Sequence, residues 1–273
     1  RTHRFYGRQG RDGLYRFGYT GPALTVAPGQ EAELAAQLYL GPKDQYRLAE
    51  VAPNLKYTVD YGFLWWIAEP LFQVLAGFHS VVGNWGLAII LLTLVVKLLL
   101  YPLSAAGYRS MANMRRVAPE MKRLQERHAD DRQKLSQEMM ALYQREKINP
   151  LGGCFPILIQ MPVFLALYWV LYESVELRHA PFLLWIRDLA AMDPYLVLPL
   201  LMGGSMYLQQ LLSPPPPDPT QARILKIMPV AFTFLFLFFP AGLVLYWLVN
   251  NVLSVAQQWY ITRTVEAAGS RKG

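Results

Sequence analysis

Leu87-Ala88-Ile89-Ile90-Leu91-Leu92-Thr93-Leu94-Val95-Val96-Lys97-Leu98-Leu99-Leu100 is the stretch on which the reading of this chain turns. Extended to Ala106, it carries a single charge. A helix of about 20 apolar residues crosses a hydrocarbon core roughly 30 Å thick, so 87–106 reads as a membrane span. The composition agrees. Of 273 residues, 53% are hydrophobic and only 16% charged, and the mean hydropathy is +0.19. That is too apolar for an ordinary soluble domain.

Downstream, residues 109–147 switch to charge-rich helix. Met114, Ala118, Met121 and Gln125 keep helical spacing, and Leu135, Met139 and Leu142 resume it after Ala129-Asp130-Asp131. The pattern predicts a two-helix hairpin outside the membrane, with Asp130 placed to cap its second helix and Gln133 three residues on. Met111, Met114, Met121, Met139 and Met140 gather there. They read either as a packing seam or as a surface that accepts varied apolar partners. Four more spans are predicted, at about 155–172, 195–212, 224–239 and 241–261. Between them lie Asn149-Pro150-Leu151-Gly152-Gly153, an amphipathic loop 176–193, a loop 213–220 with four consecutive prolines, and Phe239-Pro240-Ala241-Gly242. Proline and glycine at these points end helices. Residues 264–273 form a tail.

Upstream, 61–84 is apolar, yet Glu69, Gln73, Ser80 and Asn84 recur near one face of a helix. Such groups are costly in hydrocarbon, so a helix lying in the interface is favoured over a span. Residues 1–60 carry strand signals, with Tyr15, Phe17 and Tyr19 on one face and polar–apolar alternation over 31–40. They read as the end of a β-domain plus linker, too short to hold a core alone. A start at Arg1 inside such a module is expected to follow an export signal or anchor upstream.

The net charge of +7 has two readings, nucleic-acid binding or the Lys/Arg excess of cytoplasmic loops. Position decides for the membrane. Ten Lys/Arg fall in 109–147, against Arg178 and Arg187 in the loop 176–193 and none in the turn 239–242. Arg223, Lys226, Arg263, Arg271 and Lys272 follow the third and last spans. The hairpin, the proline loop and the C-terminus are therefore expected inside, and the β module outside.

Lys97 has no Asp or Glu in its span. A central lysine costs about 2.5–3.5 kcal/mol on insertion scales. Two readings stay open. The ammonium snorkels toward the cytoplasmic end, about 10 Å away near Ser104, or it faces a water-filled cavity between helices. Thr93 lies one turn from it, and Gln160, Gln209, Gln210, Asn250, Asn251, Gln257 and Gln258 lie in other spans. Interhelical hydrogen bonding accounts for such residues in any bundle, but several beside an unpaired cation fit a hydrated groove better. One cysteine, Cys154, and four scattered histidines leave no metal-ligand spacing. No GxxxxGK[ST] and no nucleophile–base pattern appears, so neither a cofactor nor an enzyme is expected.

Three stretches resemble the YidC/Oxa/Alb membrane-protein insertase family. They are Val82-Gly83-Asn84-Trp85-Gly86 leading to Tyr101-Pro102-Leu103, Asn149-Pro150-Leu151-Gly152-Gly153-Cys154-Phe155-Pro156 running to Gln160-Met161-Pro162, and Phe239-Pro240-Ala241-Gly242-Leu243-Val244-Leu245-Tyr246-Trp247. The upstream β module is similar to the Gram-negative form, in which an anchor helix and most of a periplasmic domain precede this region. The resemblance implies a mainly α, polytopic inner-membrane protein: five transmembrane helices within 85–263, a cytoplasmic helical hairpin, an interfacial helix and the remnant of a periplasmic β-domain. It also implies a hydrophilic groove open to cytoplasm and lipid. Lys97 falls where the family usually has arginine, keeping the charge but losing the planar donor fork. Tyr246 and Trp247 fall on an aromatic pair of the groove, and Gln160 and Thr93 on groove-facing positions. Gln209 and Asn250 complete the candidate set. The implied partners are nascent membrane proteins, the lipid bilayer, the Sec translocon, and ribosomes or targeting factors docking on the basic hairpin and tail. Two other classes compete. A transporter would need an inverted repeat, which is not visible, and a pure scaffold would make Lys97 dispensable.

Overall fold

The structure is a computed structural model that describes residues 4–33, 35, 39–128, 131–146, 148, 155–213 and 219–270. It divides into two compact units, Arg1–Gly41 and Pro42–Gly273.

In the first unit, β1 (Arg4–Gln9) pairs antiparallel with β2 (Tyr15–Thr20), from Arg4 opposite Thr20 to Gln9 opposite Tyr15. Gly13 takes φ +78° in the connecting turn, a conformation glycine adopts without steric cost. Asp12 there accepts from Leu14 N and pairs with Arg16 at 2.8 Å. Phe5 and Phe17 are each 80% exposed, as the absence of a core in so short a module requires. The strand expected over 31–40 does not form among its described residues, 31–33, 35, 39 and 40; the rest of it lies outside the described residues. Alternation alone does not make a strand without a partner edge.

The second unit is helical: α1 (Gln45–Val51), α2 (Trp65–Val82), α3 (Trp85–Leu99), α4 (Tyr101–Arg127), α5 (Arg132–Arg145), α6 (Phe155–Glu173), α7 (Val197–Leu212), α8 (Pro219–Phe236) and α9 (Ala241–Ser270). Helix α9 touches α3, α4, α6 and α7; α2 lies against α3 and α6, and α8 against α7. Helix α1 falls in what the sequence marked as β-domain and linker. Its N-cap is Asp44, whose carboxylate accepts from Tyr46 N and Arg47 N.

The segment 87–106 is not one straight helix. It breaks at Leu100 and bends by 68° between α3 and α4. Pro102 explains this: it lacks the N–H that would continue the ladder, and its ring crowds the carbonyl four residues back. No single helix among the described residues is long and apolar enough to cross a membrane, although α3 and α4 together are. Between α2 and α3, Gly83 takes φ +67° as the C-cap. Asn84 then caps α3 at Leu87 N and also donates to Phe182 O at 3.0 Å. A Cβ on Gly86 would meet the Phe182 ring at 2.0 Å, so only glycine lets that loop close on α3.

The hairpin forms as expected, with one correction. Asp131, not Asp130, caps α5, accepting from Lys134 N at 3.0 Å; Asp130 lies outside the described residues. Val117, Met121, Met139, Leu142 and Ile148 make its seam, flanked by Met114, Leu124, Leu135 and Tyr143. Met111 packs instead with Ala105, Tyr108, Ile261 and Val265 near the end of α9, and Met140 is exposed. The loop from α6 to α7 is tied down by Asp193, 2% exposed. It accepts from Trp185 Nε1, Tyr195 N and Leu198 N at 2.7–3.0 Å. Ala241 N and Gly242 N reach back to Ala191 O and Leu189 O, clasping this loop to the start of α9. Residues 149–154 and the four prolines 214–217 lie outside the described residues.

Candidate functional site

Lys97 emerges from α3 toward α9. Its Nζ donates to Ser254 Oγ at 2.7 Å, and Ser254 Oγ donates to Asn250 O at 2.8 Å, one turn back. Tyr108 from α4 lies beside Ser254. No carboxylate among the described residues pairs with Lys97. Thr93, one turn before the lysine and 1% exposed, donates to Ile89 O at 2.7 Å.

The remaining candidates separate into neighbouring groups. Gln160 on α6 donates through Nε2 to Tyr246 OH at 2.6 Å, joining α6 to α9 at a buried phenol. Trp247 sits among rings of α6 and α8: Phe164 edge-on at 4.5 Å, Phe236 at 5.4 Å and Phe232 at 6.4 Å between centroids. Asn250 is buried beside the lysine's partner, and Asn251 donates to Ser205 Oγ on α7 at 3.3 Å. Gln209 stands apart. Its carbonyl accepts from Ser213 Oγ, and its side chain enters none of these contacts.

Ser254 and Ser205 were not singled out in the sequence, although a signal for the first was present. Asn250, Ser254 and Gln258 recur every four residues and so share one face of α9. Among the described residues, Gln258, 1% exposed, has neither amide atom hydrogen-bonded, and Trp247 Nε1 and Gln210 Oε1 likewise lack a partner. Unsatisfied amides of this kind are rare in packed interiors. They mark α9 as the helix whose polar face is incompletely matched by protein.

A second polar cluster lies at the far end of α6. Tyr61 OH is bonded by Gln45 Nε2, and burial pushes its phenol up from the ordinary value. Glu176 is likewise raised, first by burial and then by the Asp44 charge. Lys43–Glu173 and Lys56–Glu69 pair nearby, each at 3.6 Å. The Lys56 pair gives Glu69, the troublesome charge of α2, a partner.

Apolar helices joined through buried polar side chains, with a charged helical hairpin attached, are the construction of an integral membrane protein. Comparison with known proteins takes this further. The family described as 60Kd inner membrane protein matches residues 77–268, and the one described as YidC periplasmic domain matches residues 1–74. The membrane protein insertase YidC of Pseudomonas fluorescens SBW25 is 63% identical over 264 residues, 97% of this chain and 47% of that protein. That of Hahella chejuensis is 62% identical over 268 residues, 98% of this chain and 47% of that protein. A solved structure of an active YidC insertase superposes with a TM-score of 0.62 at 29% identity, covering 80% of this chain and 50% of that one. The chain belongs to the 60Kd inner membrane protein family, that of the YidC membrane protein insertases. It spans about half the length of the curated relatives it matches.

Proposed function

We propose that this chain carries the working core of a membrane protein insertase that helps inner-membrane proteins enter and fold in the bilayer. The observation that carries the reading is Lys97, a cation in an apolar helix that turns toward α9 and meets only neutral groups among the described residues. In the proposed topology five spans cross the membrane, with α3 and the first turns of α4 forming the bent first one. Residues 109–147 and the C-terminus face the cytoplasm, and α2 lies in the interface with Phe63, Trp65 and Trp66 exposed at headgroup level.

A client's short acidic tail is drawn to Lys97 and the polar face of α9, which shortens the hydrocarbon path it must cross. Its apolar segment moves along the exposed sides of α6 and α8, where Leu158, Met161, Ile227, Val230 and Phe234 face outward. Partitioning of that segment into lipid, about 0.8 kcal/mol per buried CH₂, supplies the drive without nucleotide. With the inside negative, outward transfer of a carboxylate gains about 2.3 kcal/mol per 100 mV. Arginines of the hairpin attract ribosomal phosphates or targeting factors, and the Sec translocon is a natural partner.

The competing scaffold reading draws on the burial of Thr93, Asn250 and Tyr246, which leaves those groups closed in. Lys97→Glu separates the two. Insertion of small Sec-independent clients should be abolished at equal expression, and crosslinkers at 93, 97, 160 and 247 should capture a stalled client. Normal insertion by the variant, with silence at those positions, makes the scaffold reading correct.

A further inference from the structure

Ser254 is the one side chain on which the Lys97 ammonium closes within the described residues, and the direction of its own bond is informative. The Ser254 hydroxyl spends its hydrogen on Asn250 O at 2.8 Å, the backward bond that serine makes along its own helix. Its lone pairs are thereby left for Nζ at 2.7 Å and for the neighbouring Tyr108 hydroxyl, so toward Lys97 it acts only as an acceptor. A lysine has a flexible four-carbon stem and three donors. Left alone beside hydrocarbon, it extends toward the nearest water. Here it is held across the helix interface instead, at the level of Tyr108 and below the buried Thr93.

The partner is neutral. A carboxylate makes a charge-assisted hydrogen bond roughly twice as strong as a neutral acceptor makes, so an arriving acid can take the place of the hydroxyl. Farther along the same face, Gln258 keeps both amide atoms unbonded among the described residues while 1% exposed, and Gln257 reaches Tyr101 O at 3.4 Å. Donors and acceptors are thus available beside the place where the ammonium is held.

We infer that Ser254 is a positioning residue for Lys97, a replaceable placeholder that holds the ammonium across α3 and α9 so that a carboxylate of the client can exchange for its hydroxyl. The inference rests on the insertase reading above and adds to it a residue that sets client preference. A hydroxyl at 254 gives selectivity for acidic tails because it places the cation without neutralising it.

The test uses the full chain in liposomes with two forms of one small client, its tail carrying aspartate or the matching asparagine. The readout is the ratio of their insertion rates. Ser254→Ala should lower that preference for the acidic tail by roughly tenfold, the scale of one hydrogen bond to a charged group. Ser254→Thr, which keeps the hydroxyl, should restore it. Ser254→Asp, which supplies a resident carboxylate, should lower it further than alanine does. An unchanged preference in Ser254→Ala overturns the inference, as does a loss that threonine fails to rescue. Lys97→Gln is measured alongside. If it abolishes the preference while Ser254→Ala leaves it intact, the positioning role falls and the insertase reading stands. If Lys97→Gln keeps the preference, the role of the cation falls and the inference with it.

Discussion

The bundle and the hairpin are built on opposite plans. In α3, α7 and α9 the outward surfaces are apolar and the contacts between helices carry Lys97, Ser205, Asn250, Asn251 and Ser254. In α4 and α5 the outward surfaces are charged and the contact is an apolar strip of Val117, Met121, Met139 and Leu142. In the proposed topology the solvent accounts for the inversion. Lipid is as apolar as leucine, so helices in it gain nothing by burying leucine and associate through close approach and hydrogen bonds. In water, burial of apolar surface drives association. Even the ion pairs follow the rule. Arg145–Glu120 and Arg116–Glu146 lie on the hairpin's surface, whereas Lys97 has no acid among the described residues.

The comparison breaks first where the bundle relies on closeness. A Cβ on Gly203 would lie 1.9 Å from Thr233 Oγ1 of α8, and that hydroxyl is committed to Pro229 O. Gly203→Val should cost about 3 kcal/mol of stability by overpacking, read as a lowered unfolding midpoint in detergent. An unchanged midpoint would mean that α7 and α8 do not pack as closely as described. The hairpin should fail by the opposite route. Leu142→Ala, at a site 3% exposed, should cost about 2 kcal/mol through the cavity left in a thin seam. Protease cleavage within 109–147 should accelerate while the bundle's unfolding midpoint holds. Equal losses in both regions would show that they unfold as one.

Much of this was legible beforehand, because the inversion is written in composition. Periodic methionines and leucines among charges gave the hairpin, and Pro240-Ala241-Gly242 gave the turn before α9. The break at Leu100 is not legible from Tyr101-Pro102, since a proline near the end of an apolar run reads as a boundary as readily as a bend. Helix α1 was hidden because seven residues after Asp44 carry too little periodicity. The pairing of Lys97 with Ser254 needs contact across 157 positions. A four-residue recurrence on α9 indicates a polar face but not what it meets.

The smallest effect sharpens the contrast between acids. Glu120 and Glu146 are paired with arginines, but both carboxylate oxygens of Glu176 are enclosed with no side-chain partner among the described residues. Burial first, then the Asp44 charge, raises its pKa above the ordinary 4.5, while backbone N–H groups of Gln45 and Glu176 oppose the shift. A carboxyl raised on folding favours the folded form when protonated. Its contribution is complete below the unfolded pKa and is lost as pH rises through the folded one. Helix α1 and the Gln45–Tyr61 bond should therefore be held more tightly on the acid side. Hydrogen-exchange protection of residues 45–61, corrected for intrinsic rates, should rise as the pH falls from about 8 to about 5. Glu176→Gln removes the charge at every pH and should leave protection high and flat. A variant that keeps the wild-type slope would assign the pH dependence to another group and overturn this account of Glu176.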